Sequence, residues 1–350
     1  MSGGVDSSVA AVLLQRAGWE VVGMTAELFG DASAAGPCCG REGSGLARAV
    51  CSILGVEHHH VDLTELFERT VIDRFIGEYR AGRTPNPCSD CNRFIKFDTF
   101  FETARELGCD YVATGHHARI AEVDGRWLLK TAVDANKDQT YFLACIEPQR
   151  LSQIRFPVGE MDKREVRRIA QEARLPTARR DESQDICFIS NGMGIAELLD
   201  WHTGDSPQPG RIVTEDGTDL GEHPGIEHFT IGQRRGLKLG GGTEGLVVHR
   251  LEPRTRRVVV AGREAHPVRA LHLRDFTDMA PGLWRPGEEI MLRGRYRQEL
   301  WPGRASIDGD CVSVAPAGEL YSMSSGQWCA GYRGDTVLFG GIIDGIEYAS

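Results

Sequence analysis

Ser2-Gly3-Gly4-Val5-Asp6-Ser7-Ser8, running directly into Val9-Ala10-Ala11-Val12-Leu13-Leu14, is the stretch that decides how this chain is read. Its adjacent glycines let a backbone approach a ligand closely. Ser7 and Ser8 open a helical run that reaches Ala17. At a helix start, N–H groups without an intrahelical acceptor and the helix dipole favour an anion. Phosphate suits such a cradle. No Gly-Lys-Ser/Thr follows, so the loop is not of the Walker type. A lone Gly-x-Gly here would be an ordinary capped turn; the full set of positions at a helix start makes it a phosphate loop.

Outward from this loop, strand-like and helical runs alternate. Glu20–Met24, His58–Asp62 and Asp110–Gly115 read as strands. Ser7–Ala17, Ser44–Leu54, Leu66–Tyr79 and Phe97–Leu107 read as helices. Such alternation implies a parallel α/β sheet. At Pro207, Pro209 and Gly210 the texture changes to short β-rich runs, among them Arg257–Gly262. Towards the end, strands recur between turn signals such as Pro286-Gly287, Asp308-Gly309 and Arg333-Gly334-Asp335. That pattern predicts a small antiparallel barrel or sandwich. The boundaries expected are 1–200, 205–264 and 265–350. Gly240-Gly241-Gly242 reads as a flexible turn, and no internal repeat is present.

The chain has 350 residues, enough for two or three domains, and its 41% hydrophobic content can fill their cores. No apolar run approaches the ~20 residues that span a membrane, and the N-terminal residues lack a signal-peptide pattern. A cytoplasmic protein is expected. Its ten cysteines are too sparse for a disulfide scaffold. In a reducing compartment they serve as packing residues, metal ligands or catalysts.

Thr84-Pro85-Asn86-Pro87-Cys88-Ser89-Asp90-Cys91-Asn92 carries a Cys-x-x-Cys, and Cys187 lies far away in Ser183-Gln184-Asp185-Ile186-Cys187-Phe188-Ile189. Cys-x-x-Cys places two thiols to grip one metal or to cycle between dithiol and disulfide. The two prolines ahead of Cys88 are expected to bar a regular helix and to give a rigid exposed loop suited to chemistry. Cys51, Cys109, Cys145, Cys311 and Cys329 read as packing residues, while Cys38-Cys39 stays ambiguous. His58-His59-His60 looks like a metal tract, but neighbours on a strand face opposite ways, which disfavours that role.

The first loop resembles the signature of the PP-loop ATP pyrophosphatases, which bind ATP, adenylate a substrate and release pyrophosphate. A phosphate loop of that class follows a central strand, yet here Met1 stands directly on the loop, so the first strand of the sheet is expected to be missing. The expectation is that the natural start lies upstream. More specifically, the chain resembles the tRNA-specific 2-thiouridylases. The matching stretches run in order: Ser2–Ser8, Thr84–Phe97, Ala113–Ile120, Lys137–Leu143, the Ile-Cys-Phe-Ile around Cys187, His228–Leu237, Arg295–Gln298 and Ser324–Gln327.

The resemblance implies a PP-loop (adenine nucleotide alpha hydrolase-like) domain, a small central tRNA-binding domain and a C-terminal antiparallel β-barrel. It implies 2-thiolation of the wobble uridine of tRNA with ATP and Mg²⁺, and a sulfur-donor protein such as a cysteine desulfurase or sulfur relay. By motif, Gly3, Gly4, Val5, Asp6, Ser7 and Ser8 would hold ATP, with Ala26 and Gly115 near its adenine and ribose. Asn86, Pro87 and Cys88 would meet the target base. His116, Lys137, Asp138, Gln139, Arg295, Tyr296 and Gln327 would contact the tRNA. Cys91 matches the nucleophile and Cys187 the persulfide carrier, a pair able to close a disulfide. Many relatives have Asp-x-x-Cys where this chain has Cys88-x-x-Cys91. The three cysteines Cys88, Cys91 and Cys187 are therefore also a set able to ligate a [4Fe–4S] cluster with one open iron.

Three other readings compete. One is a PP-loop enzyme adenylating a small molecule, against which the distant cysteines and the β-rich tail speak. Another is a tRNA-binding protein with impaired catalysis, and the last is a thiol-redox protein, which leaves the phosphate loop unexplained. Locally, Lys137-Asp138-Gln139 reads as a polar turn before a strand-like Tyr141-Phe142-Leu143, and Arg297 and Gln298 as a solvated strand face. The net charge of −10 argues against RNA only as a total. Residues 149–180 hold nine Lys/Arg against four Asp/Glu, and residues 250–304 hold twelve Arg against seven acids. RNA needs a basic stripe rather than a basic protein. These two segments are expected to line one face, and tRNA affinity should fall steeply between low and physiological salt in a filter-binding titration. A salt-independent affinity would contradict this.

Overall fold

The computed structural model describes residues 1–29, 41–181, 186–189, 194–204, 208–237, 239 and 245–349. Cys38-Cys39, Ser183–Asp185 and Gly240–Gly242 lie outside the described residues.

The loop glycines end where Val5–Arg16 begins as a helix, with Gly4 at its N-cap (φ −87°, ψ 163°). Small and β-branched side chains give this helix a flat buried face of Val5, Val9, Ala10 and Val12. That face packs on Val50 of the Arg41–Leu54 helix and on Val166 and Ile169 of the Lys163–Glu172 helix. Strand β1 (Val22–Glu27) pairs in parallel with β2 (Glu57–Asp62), Val22 opposite Glu57. Farther along come β3 (Val112–Ala113), β4 (Ala118–Val123), β5 (Arg126–Thr131) and β6 (Ile154–Arg155). β3 and β6 form a second parallel pair. β4 and β5 make a hairpin around Asp124-Gly125, both at positive φ (52° and 73°), the turn that an Asp-Gly dipeptide favours.

Among the described residues the β1–β2 and β3–β6 pairs stay separate, and no strand lies between them. Met1 meets β1. Its amino nitrogen donates to the Met24 carbonyl, and its own carbonyl accepts from Thr25 Oγ1 at 2.8 Å. A cavity of about 620 Å³ occupies the space between the pairs, with Val22, Met24 and Ala26 on one side and Val112, Ala113 and Thr114 on the other.

The second region is a four-stranded sheet, β8-β7-β10-β9, built from β7 (Gly210–Thr214), β8 (Asp219–His223), β9 (Leu246–Glu252) and β10 (Arg257–Gly262). Ile212, Val248, Val258 and Val260 fill its core with Ile226 and Phe229. The third region holds β11 (Val268–Asp278), β12 (Glu289–Arg293), β13 (Trp301–Asp308), β14 (Cys311–Pro316), β15 (Trp328–Arg333) and β16 (Thr336–Tyr348). They run in the order β11-β14-β13-β12-β15-β16, and pairing of β16 with β11 closes the sheet into an antiparallel barrel. Closure removes the exposed edges that an open sheet would present. β5 joins this barrel through Thr336 opposite Lys130, so the first region and the barrel share one sheet.

Several expectations change in the structure. Pro87 does not bar a helix but starts one. Asn86 caps it by accepting from the Cys88 N–H at 3.2 Å, and the helical run continues from Pro87 to Glu106. Proline at the first helical position loses only an N–H that has no intrahelical partner anyway. Tyr141-Phe142-Leu143 is a helical turn (Thr140–Leu143) rather than a strand. The buried Asp138 carboxylate accepts from Thr140 Oγ1 at 2.7 Å and from the Ala132 N–H at 3.0 Å, fixing the turn while Tyr141 and Leu143 are buried. Cys51, Cys145 and Cys329 are core residues, but Cys311 is exposed, because it follows the Gly309-Asp310 turn at the head of β14.

Phe339 is fully buried in the barrel, its ring 4.9 Å from Trp284 and 5.3 Å from Phe276. Phe339→Ala should lower stability by about 3–5 kcal/mol, read as the shift in a urea unfolding midpoint.

Candidate active site

The phosphate loop is held by long-range polar contacts. Asp6, in the helix's first turn, accepts from Lys163 Nζ at 2.6 and 2.7 Å. The buried His117 ring places Nε2 3.2 Å from the same carboxylate. Burial by itself would push the Asp6 pKa up. The His117 hydrogen bond and the Lys163 ammonium outweigh it and hold the pKa below the usual carboxylate value. Arg180 donates to the Gly3 carbonyl at 2.9 Å. Ser7 and Ser8 hydroxyls donate back to the Gly4 carbonyl at 3.2 and 2.8 Å, which locks the cap. Gly3 takes φ +70°, and a Cβ there would stand 2.2 Å from the Gly43 carbonyl oxygen. His117, Lys163 and Arg180 were missed in the sequence. His117 sits within the matched Ala113–Ile120 stretch, but nothing local marks Lys163 or Arg180 as partners of a loop so far away.

Gly4, Asp6 and Ser7 line the cavity between the strand pairs, together with Ala26, Gly115, His116, Gln139, Lys96 and Cys91. Five of the expected nucleotide residues, Gly4, Asp6, Ser7, Ala26 and Gly115, and one of the cysteines expected to be catalytic therefore open on a single space. Gly115 touches the loop backbone: a Cβ on it would stand 2.4 Å from the Ser7 nitrogen. His116 Nδ1 lies 2.7 Å from Thr114 Oγ1, and burial, with Lys96 next in effect, holds its pKa well below the usual value. Its imidazole is neutral at pH 7. Gln139 Oε1 accepts from the His117 N–H at 2.8 Å, tying the cavity wall to the loop's anchor.

Cys88 and Cys91 lie three apart at the start of the helical run, Cys88 exposed and Cys91 buried. That spacing puts both on one helical face. From Cys91 to Thr99 the helix is wound wide, in the π form, a distortion common at functional sites. Cys91 and Cys187 belong to one apolar cluster with Phe67, Phe75 and Phe188. Between the two thiols of the motif, Asp90 is buried with its pKa pushed up to about 6, by burial first, against the pull of Arg74 and Arg93.

The barrel holds this helix from the other side. Gln327 Nε2 donates to the Thr84 carbonyl at 2.8 Å, and its Oε1 accepts from Tyr141 OH at 3.1 Å. Gly326, at φ +90°, lies so close that a Cβ would come within 2.9 Å of Thr84. Tyr296 packs its ring 4.3 Å from Phe142, whose carbonyl accepts from Asn92 Nδ2 at 2.9 Å, next to Cys91. Arg295 is exposed and donates to the Ser322 carbonyl at 2.9 Å, and Lys137 is half-buried. Of the residues expected at RNA, Asn86, Asp138 and Gln327 thus have side chains engaged within the protein, and Pro87 is buried; His116 and Gln139 line the cavity; Cys88 and Arg295 are exposed.

Residues 1–191 match a family model described as the tRNA methyl transferase HUP domain, and residues 197–262 match the tRNA methyl transferase PRC-barrel domain. Similarity to individual proteins extends over essentially the full length. The chain is 42% identical to a tRNA-specific 2-thiouridylase MnmA of Syntrophus aciditrophicus, covering 100% of this chain and 93% of that one. It is 42% identical to the same-named protein of Methylorubrum extorquens over 98% and 92% of the two chains. With that of Acidithiobacillus ferrooxidans it shares 39% identity over 99% and 97%. The chain belongs to the tRNA-specific 2-thiouridylase family. The 2-thiouridylase architecture accounts for the order of parts seen here, a nucleotide-binding α/β unit, a small β unit and a closed barrel. No helix of the described residues is long and apolar enough to cross a membrane.

Because Gly115 abuts the phosphate loop without room for a methyl group, Gly115→Ala should weaken ATP binding at least tenfold in equilibrium dialysis while the protein stays folded by circular dichroism.

Proposed function

We propose that this protein is a tRNA-uridine 2-sulfurtransferase that adenylates the C2 oxygen of a wobble uridine with ATP and then replaces it with sulfur. The observation that carries this reading is the shared cavity: the phosphate loop and Cys91 face the same space. A methyl transferase, the activity in the family model's description, needs neither a phosphate cradle nor a thiol there. Carbonyl activation followed by sulfur attack needs both.

The division of labour follows from the residues. First-turn N–H groups of the Val5–Arg16 helix, with Gly3, Gly4, Ser7 and Ser8, bind the ATP phosphates. Ala26 and Gly115 flank the adenosine. Asp6 already accepts from Lys163 and His117, so a Mg²⁺ ion that accompanies ATP would not draw on this carboxylate; it would neutralise phosphate charge. The uridine leaves its stack to enter the cavity. Neutral His116 and Gln139 present hydrogen-bonding groups to its edge. Attack of the O2 oxygen on the α-phosphorus expels pyrophosphate and turns a poor leaving group into AMP.

Sulfur arrives as a persulfide on Cys187, from a donor protein. Its terminal sulfur attacks C2 and AMP leaves. The Cys91 thiolate then attacks the Cys187 sulfur, which breaks the S–S bond, leaves sulfur on the base and forms a Cys91–Cys187 disulfide. A two-electron thiol reductant restores both thiols. Exposed Cys88 is assigned to contact with the target base. Lys137, Arg295 and Tyr296 face the RNA body.

One observation favours a second reading. Cys88 and Cys91 lie three apart on one helical run and Cys187 packs in the apolar cluster of Cys91, and three such cysteines would be the ligand set of a [4Fe–4S] cluster, which would supply an iron-bound sulfide. The experiment is a deletion strain complemented with the wild type and three variants, with 2-thiouridine measured by nucleoside mass spectrometry. Cys91→Ala and Cys187→Ala should reduce 2-thiouridine to background, and Cys88→Ala should retain part of it. The protein purified without iron should stay active with a persulfide donor. Activity that strictly follows about four irons per chain assigns the cluster instead, and unchanged 2-thiouridine in the deletion strain overturns the function itself.

A further inference from the structure

Away from the cavity, at the seam between the β8-β7-β10-β9 sheet and the barrel, three residues from separate segments converge. Glu215 follows β7, His249 lies in β9, and His266 lies in the connection between β10 and β11. The His266 Nε2 atom is 2.6 Å from one Glu215 oxygen, and His249 Nε2 is 3.9 Å from the other. The two imidazoles stack with centroids 4.3 Å apart, and one donor atom from each of the three residues falls within 4.8 Å of the others. Tyr348, at the end of β16, closes the cluster with its ring 4.9 Å from His249 and 5.9 Å from His266.

The backbone is shaped to bring His249 here. Val259 of β10 pairs with Arg250, but the next residue, Val260, pairs with Val248. His249 is therefore the extra residue of a β-bulge, a device that re-aims one side chain out of the regular alternation. Without the bulge a neighbour would take its place beside Glu215.

We propose that Glu215, His249 and His266 form a divalent metal site of the Zn²⁺ type that clips the central sheet to the barrel. Two imidazoles and one carboxylate suit Zn²⁺. Metal–ligand bonds of about 2.0–2.1 Å set tetrahedral donors about 3.3 Å apart; here His266 Nε2 hydrogen-bonds one Glu215 oxygen at 2.6 Å and His249 Nε2 lies 3.9 Å from the other, so an ion that replaces this hydrogen bond needs only small side-chain shifts. A fourth position is left for water or a ligand. The site is independent of the thiol chemistry, because none of its residues lines the cavity.

Co²⁺ reads the site directly. Thiolate-bound Co²⁺ has an intense near-ultraviolet charge-transfer band that an imidazole–carboxylate site lacks, so the cysteines and this cluster are distinguishable in one titration. The chelator-treated full-length protein should bind one equivalent of thiolate-free Co²⁺, displaced by Zn²⁺. His266→Gln and Glu215→Gln should each weaken that binding at least tenfold. Zn²⁺ should raise the Tm of the wild type and leave that of both variants unmoved. If either variant is already destabilised without metal, His249→Gln replaces it in the comparison. Absence of thiolate-free Co²⁺ at millimolar concentration, or equal binding by wild type and all variants, overturns the proposal.

Discussion

The Asp6 carboxylate is the point on which the active site depends. A phosphate loop must present bare N–H groups to an anion, and an acid in the same turn works against that unless its charge is absorbed. Lys163 and His117 absorb it, and in doing so they fasten the loop to the Lys163–Glu172 helix and to the segment that follows β3. The loop's shape is thus imposed from outside. The glycines permit the conformation, but partners more than a hundred residues away hold it. The Gly115 contact works in the same direction, since the backbone on the far wall of the cavity is pressed against Ser7.

A second layer of constraint comes from the barrel. Its residues reach back across the molecule to Thr84, Tyr141 and Phe142, the supports on either side of the thiol-bearing helix. Side chains expected to touch RNA, Gln327 above all, also join protein to protein. Exposed Arg295 lies on a loop whose neighbour Tyr296 packs on the frame of Cys91. The C-terminal region is therefore as much a part of the catalytic scaffold as the nucleotide-binding unit.

Much of this was legible in the residues. Ser2–Ser8 announced a phosphate loop because glycine and serine at a helix start have a direct electrostatic meaning. The alternation of strands and helices gave the parallel pairs, and the turn dipeptides gave the β-rich end. What failed did so for local reasons. Pro87 reads as a breaker because proline breaks helices from within, whereas at the first position it begins them. Tyr141–Leu143 read as a strand because three apolar residues carry no period; the buried Asp138 made the turn. The Asp6–Lys163 pair and the Glu215–His249–His266 cluster were invisible because each joins residues distant in sequence, and the His249 bulge alters the very alternation on which a strand reading rests.

The Gln327–Thr84 bond spans 243 residues. On a ribosome adding about 5–20 residues per second, that separation corresponds to roughly 12–50 s of elongation. For that interval the Cys88–Cys91 helix has been made but its clamp has not. A half-finished chain can thus carry the phosphate loop and a thiol without the frame that aligns them. The frame is complete only once the last strands of the barrel have been made.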